Sequence, residues 1–321
     1  MSKFWVIGLG FVAVLVGFIA YGSLTGASSD VTAPAAKMVA ALQEATQDLT
    51  SDAERAKIAP HKALYKIEMV EKRSGAQVLN ISGEMYFEWK PVCGAWTTDH
   101  RFSLLYEYAE TPPMRITSDF TTYERFSGDS FDFNSRRRRD GEVYEELRGH
   151  AGIKKNTTGS ADFNLPAGLR FDLPQGTLFP MAHTVSVVRA AEQGKKFLSA
   201  TIFDGSDAEG PSEVNAFIGK KVDAMARITP STAIAPGLIN TPAWNVRLAF
   251  FPLNSDEADS DYEMDVVMHE NGVISDMYVE YKDFSVTQRL VALERVTGET
   301  CDNAAAAQPA PADSGKKPQT K

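Results

Sequence analysis

From His61 onward, apolar and polar residues alternate with a period of two. Ala63, Tyr65, Ile67 and Met69 alternate with Leu64, Lys66, Glu68 and Val70. Ile81, Gly83, Met85, Phe87 and Trp89 then oppose Asn80, Ser82, Glu84, Tyr86 and Glu88. A strand points successive side chains to opposite faces, so this pattern predicts half-buried strands, and Gly83 inside one of them predicts a bulge or bend. Trp96, Thr98, His100, Phe102, Leu104, Tyr106 and Tyr108 share the next face, Pro112-Pro113 ends that strand, and Met114 to Phe126 resumes the pattern. Asp140-Gly141 predicts a two-residue hairpin turn with Arg139 opposite Glu142 and Arg136 opposite Glu145. On that register the run Arg136–Arg139 reads as a solvated hairpin whose arginines face glutamates, and not as an anion site. Further extended segments are predicted at Lys196–Phe203, Lys221–Ile228, Trp244–Phe251, Tyr262–Met268, Val273–Tyr281 and Ser285–Val296, with a tight turn at Asn271-Gly272.

Helical spacing interrupts this pattern twice. Met38, Leu42, Ala45 and Leu49 predict an amphipathic helix over Pro34–Leu49. Met181, Val185, Val188 and Ala191 form a second stripe, with Pro180 at the first helical position and Gly194 as the stop. About a dozen strands with short turns and few helices predict a mainly β protein built on one long antiparallel sheet. A sheet that long must curl, split or close.

The ends of the chain differ from its middle. After Lys3, the uncharged apolar run Phe4–Tyr21 followed by Thr25-Gly-Ala27-Ser28 reads as an export signal, or as a signal-anchor if it is not cleaved. Residues 28–57 hold a linker and the first helix, 58–301 the β domain, and 302–321 an Ala/Pro-rich tail too poor in apolar side chains to bury. A net charge of −9 argues against a nucleic-acid partner. Both readings of the N-terminus place everything after Ala27 outside the cytoplasm, with membrane association only through this segment if it stays uncleaved. In an oxidising compartment the chain's two cysteines, Cys93 and Cys301, have each other to pair with. They lack the C-x-x-C spacing of a redox pair, so a structural bond is the better reading.

Catalytic signatures are absent from the sequence. It contains no G-x-S-x-G elbow, and His269-Glu270 lacks the second histidine of a zinc-protease helix. The five histidines show no ligand spacing, which predicts neither metal nor cofactor. Asp256–Asp265 resembles a calcium loop in charge alone and reads as an exposed acidic loop. Three side chains remain as candidates for a ligand surface: Trp96, His100 on the same strand face, and His183 in the first turn of the second helix. Each is also a residue type that commonly serves as core.

Several stretches together resemble the EipB family of alphaproteobacterial cell-envelope integrity proteins. They are Cys93-Gly-Ala-Trp96, Leu173-Pro-Gln-Gly-Thr-Leu-Phe-Pro180 with His183-Thr184, Phe203-Asp-Gly-Ser206, Asn271-Gly-Val273, Tyr281-Lys-Asp-Phe284 and the closing Cys301. The resemblance spans roughly residues 58 to 301. It implies an open spiral or broken barrel, a Cys93–Cys301 disulfide, and a role in envelope integrity without an established catalytic activity. The expectation is a non-catalytic periplasmic factor binding a lipid, a lipoprotein or an envelope protein partner in a concave sheet face. The alternative is an envelope-remodelling hydrolase, acting on peptidoglycan or glycolipid through a site that no motif reveals.

Overall fold

The computed structural model describes residues 56–154, 157–229, 231–253 and 259–299. The export signal, the helix expected at Pro34–Leu49, Cys301 and the tail lie outside the described residues.

Fourteen strands form one sheet in the order β8-β7-β6-β5-β4-β3-β2-β1-β14-β13-β12-β11-β10-β9, every neighbouring pair antiparallel. The first meander runs through β1 (His61–Lys72), β2 (Val78–Val92), β3 (Ala95–Tyr108), β4 (Met114–Arg125), β5 (Ser130–Arg139), β6 (Glu142–Ile153), β7 (Gly159–Leu165) and β8 (Arg170–Leu173). The second comprises β9 (Phe197–Ile202), β10 (Ser212–Val222), β11 (Ala243–Pro252), β12 (Tyr262–His269), β13 (Ile274–Glu280) and β14 (Phe284–Arg295). The first and last strands meet in the middle, with His61 opposite Arg295. The outermost strands, β8 and β9, do not pair with each other, so the sheet stays open.

Helix α1 (Pro180–Glu192) connects the two meanders, and its Val187, Val188, Ala190 and Ala191 belong to the same core as β1–β4 and β9–β14. The helix is therefore wrapped by the sheet. His183 and Val187 are buried beside the expected stripe, so more than one face of α1 is covered. A second, Phe-rich core lies under β5–β8, where Phe131, Phe133 and Phe163 pack with Phe179 and Phe203. A short helix, α2 (Pro236–Ile239), lies between β10 and β11.

Three local expectations are corrected. Pairing runs through Gly83 without a shift, opposite both Ile67 and Leu104, so it is no bulge. A Cβ there would lie 2.1 Å from the Ser103 carbonyl oxygen, and the glycine instead admits close approach of β3. Lys221–Ile228 is not a strand: β10 ends at Val222, and Asp223 accepts from the Met225 N–H to cap a 3-10 turn over Ala224–Arg227. At the Asp140-Gly141 hairpin both residues take positive φ as the turn demands, but a bulge between Arg137 and Arg138 moves Arg136 opposite Glu146 and Arg137 opposite Glu145.

Candidate functional site

Around α1 the inner wall is aromatic, with one buried carboxylate. Phe179 caps the helix without a side-chain bond, and Pro180 has no N–H to offer. The next two N–H groups, of Met181 and Ala182, donate to the Glu124 carboxylate of β4 at 2.8 and 2.9 Å. Burial pushes this carboxyl up to about 7, against the two hydrogen bonds that favour its charge. Trp96, opposite Glu124 across the ladder, packs 5.5 Å from Trp89 and 5.6 Å from Phe126, beside Met181 and Val185. His100 lies between the Phe87 and Phe102 rings, at 6.3 and 6.0 Å.

The structure thus turns Trp96, His100 and His183 to the interior, with 5%, 8% and 7% of their surface exposed. Burial pushes both imidazoles down to about 4, in His100 with help from the Arg137 charge. His183 Nε2 is buried without a hydrogen-bond partner among the described residues.

A second polar centre joins the two cores. Arg137 points inward and is only 4% exposed, because it continues the inward parity of Phe131, Phe133 and Ser135 along β5. Its Nη1 donates to Glu145 Oε2 and its Nη2 to the Ser206 carbonyl oxygen at 2.7 Å. The loop it holds starts at Phe203, which packs on Phe131, Phe133 and Phe163. Gly205 follows at φ +66, where a Cβ would lie 2.4 Å from the Phe133 ring. Asp204 Oδ1 accepts from the Ser206 N–H and hydroxyl at 3.0 and 2.6 Å. Asp204 and Asp207 share a small cleft with Asp261, Tyr262 and Phe250. Burial raises both carboxyls, that of Asp207 further through the neighbouring Asp204, while Arg137 opposes the rise. The solvated-hairpin reading holds for Arg136, paired with Glu146, and fails for Arg137. The available signal was the strand parity. Among the described residues no cluster of three or more His, Cys, Asp or Glu is arranged to hold a metal ion.

The segment that follows β8 meets the open edge of β9. Pro174–Thr177 turns, with Gly176 at φ +87, and Leu178 then bridges the outer edge of β9. Its N–H donates to Thr201 O at 2.8 Å, and its carbonyl accepts from the Phe203 N–H at 3.0 Å. At the opposite side, Cys93 (φ 51) occupies the β2–β3 turn, and its N–H donates to Glu299 O at 3.2 Å while the Glu299 N–H donates to Pro91 O at 2.9 Å.

An EipB-like family model matches residues 52–297. The chain belongs to the EipB-like family. The "Cell envelope integrity protein EipB" of Brucella abortus (strain 2308) is 28% identical over 250 residues, which cover 76% of this chain and 86% of that relative. The crystal structure of a beta-barrel-like protein, domain of unknown function DUF1849, also from Brucella abortus, superposes with a TM-score of 0.68 at 26% identity. It covers 74% of this chain and 98% of that one. The fold is therefore shared with a solved beta-barrel-like neighbour, and the Leu178 and Phe203 segments fall inside the family match.

Proposed function

We propose that this chain is a non-catalytic periplasmic factor that keeps the cell envelope intact by holding a lipid, a lipoprotein segment or an envelope protein partner within its curled sheet. The name of the Brucella relative supports the envelope role. The seam carries the binding reading. Two strand edges that do not pair with each other stand over an apolar interior, and Leu178, beyond the end of β8, bridges the edge of β9. Behind it, α1 fills the space with small side chains, Ala190 and Ala191 among them, so displacing it exposes an apolar lining. A Cys93–Cys301 disulfide belongs to this reading. Glu299 is already hydrogen-bonded beside Cys93, and the bond would hold the far side rigid while the seam moves.

Organic extraction of protein purified from its native envelope, followed by mass spectrometry, tests the reading. The expected result is a co-purifying lipid near one per chain, absent after denaturation and refolding in lipid-free buffer. Blanks from both samples, with no envelope protein retained on crosslinking, overturn it.

One observation favours a hydrolase as the second reading. Asp204 and Asp207, both with raised carboxyls, face one cleft, as paired acids do in general acid–base catalysis. Product from peptidoglycan or glycolipid that disappears in Asp207→Asn would support it. No product at any pH would exclude it.

A further inference from the structure

The corner where α1 ends and β9 begins combines features that neither core uses. Phe197 and Phe217 lie opposite each other on the outer face, 50% and 51% exposed, with ring centroids 5.1 Å apart. Lys195 and Lys196 precede Phe197, and Lys220 and Lys221 follow Phe217 on the neighbouring strand, all exposed. The Ile218 N–H donates to Lys196 O, which fixes the two lysine pairs at the same end of the ladder. Among the described residues no carboxylate forms an ion pair with Lys195, Lys196 or Lys220. Lys221 lies over the Trp244 ring at 5.3 Å. The 3-10 turn after β10 adds exposed Met225 and Arg227 at this end. The carboxylates nearest the lysines in sequence are Glu192, paired with Lys57, and Asp223, which accepts from the Met225 N–H. On the same outer face Glu213 accepts from Ser199, and Asp265 is paired with Arg247, the residue opposite Phe217. The corner is therefore basic on a chain whose net charge is −9.

Lysines on an edge strand also discourage pairing with another sheet, and that use accounts for Lys195 and Lys196 alone. It does not account for two phenylalanines left in water beside them, since edge protection removes apolar groups. Exposed rings flanked by lysines suit a boundary where the rings enter acyl chains and the ammonium groups meet phosphates. The position of the N-terminus agrees. Lys57 is bonded to Glu192 at 2.9 Å, so the described chain begins beside this corner, and the sequence before it carries the apolar run Phe4–Tyr21.

We infer that this corner docks on a bilayer surface rich in anionic phospholipid, with Phe197 and Phe217 inserted and Lys195, Lys196 and Lys220 on the phosphates. Such docking holds the seam beside the membrane and goes beyond the proposed binding of a ligand inside the sheet. It stands or falls independently of that ligand.

Hydrogen–deuterium exchange on the full chain reconstituted in vesicles tests it, because the readout is local to the corner and is not dominated by the N-terminal segment. On phosphatidylcholine vesicles containing phosphatidylglycerol, peptides covering 195–199 and 217–222 should exchange about tenfold more slowly than on phosphatidylcholine alone, the contrast expected of an electrostatic contact. High salt, Lys195→Glu with Lys196→Glu, and Phe197→Ser with Phe217→Ser should each remove the protection, while exchange in β1 and β14 stays unchanged. Equal exchange on both vesicles, protection that survives the charge reversal, or equal protection by a soluble anionic glycan overturns the inference.

Discussion

Arg137 on β5 donates a hydrogen bond to the carbonyl oxygen of Ser206, 69 residues further along the chain. This contact ties the first meander to the loop between β9 and β10, and the Glu145 pair holds Arg137 in place. Replacing Arg137 by Met keeps the stem and removes the charge, leaving Glu145, Asp204 and Asp207 without their cation. Removing one partner of a buried pair costs several kcal/mol. Because Glu145 keeps 29% of its side chain in water, about 3 kcal/mol is expected in chemical denaturation. Unchanged stability would mean that the tie does not hold the loop.

Gly205 should tolerate no side chain. Its positive φ and the Phe133 ring 2.4 Å from an added Cβ predict that Gly205→Ala destabilises by about 2 kcal/mol or more. Phe133→Leu in the same chain should recover part of the loss by making room. A double variant no better than the sum of its parts would place the damage in the backbone alone.

Much of the fold was legible because one face of each strand is buried, which imposes period two. The β2 and β3 faces, α1 and the hairpin at Asp140-Gly141 all follow from such local rules. What failed was non-local. The two-residue turn set Arg136 opposite Glu145, but a bulge gives that partner to Arg137, whose burial depends on a loop far along the chain. Glu124 shows no helix-capping signal, because it caps α1 from another element. Gly83 looked like a bulge because its other use, a close approach to Ser103, is invisible without the partner strand.

Glu124 makes stability depend on pH. Its folded value, about 7, lies above the ordinary 4.5, so the folded chain holds this proton more tightly than the unfolded chain does. The resulting stabilisation is complete below 4.5 and is lost as pH rises through 7. Glu124→Gln removes the titration, so wild type should lose about 3 kcal/mol relative to this variant between pH 4.5 and 8. A constant difference across that range would mean that the carboxylate is not desolvated. Glu124→Ala should be about 2 kcal/mol less stable than Glu124→Gln at any pH, because two helix N–H groups lose their acceptor.

His183 acts with the opposite sign. Its folded value is depressed from 6.5 to about 4, so the unfolded chain takes up the proton first. Stability is unaffected above 6.5 and is lost as pH falls toward 4. His183→Leu removes both this liability and a buried Nε2 that lacks a partner, and should unfold at a lower pH than wild type while being at least as stable at pH 7.5. An identical acid midpoint would show that the imidazole is solvated.

The disulfide proposal has its own measurement. Cys93→Ser or Cys301→Ser should lower the unfolding free energy by about 2–5 kcal/mol, and reductant should bring wild type to the same level. Wild type indifferent to reductant would refute a stabilising bond.

The envelope role itself is tested most directly by the detergent tolerance of cells from which this chain has been removed. The account predicts increased sensitivity, restored by the wild-type chain and by Asp207→Asn, and not restored by Cys93→Ser. Unchanged tolerance without the chain would contradict the account, and rescue that fails with Asp207→Asn while the protein remains folded would point to catalysis instead.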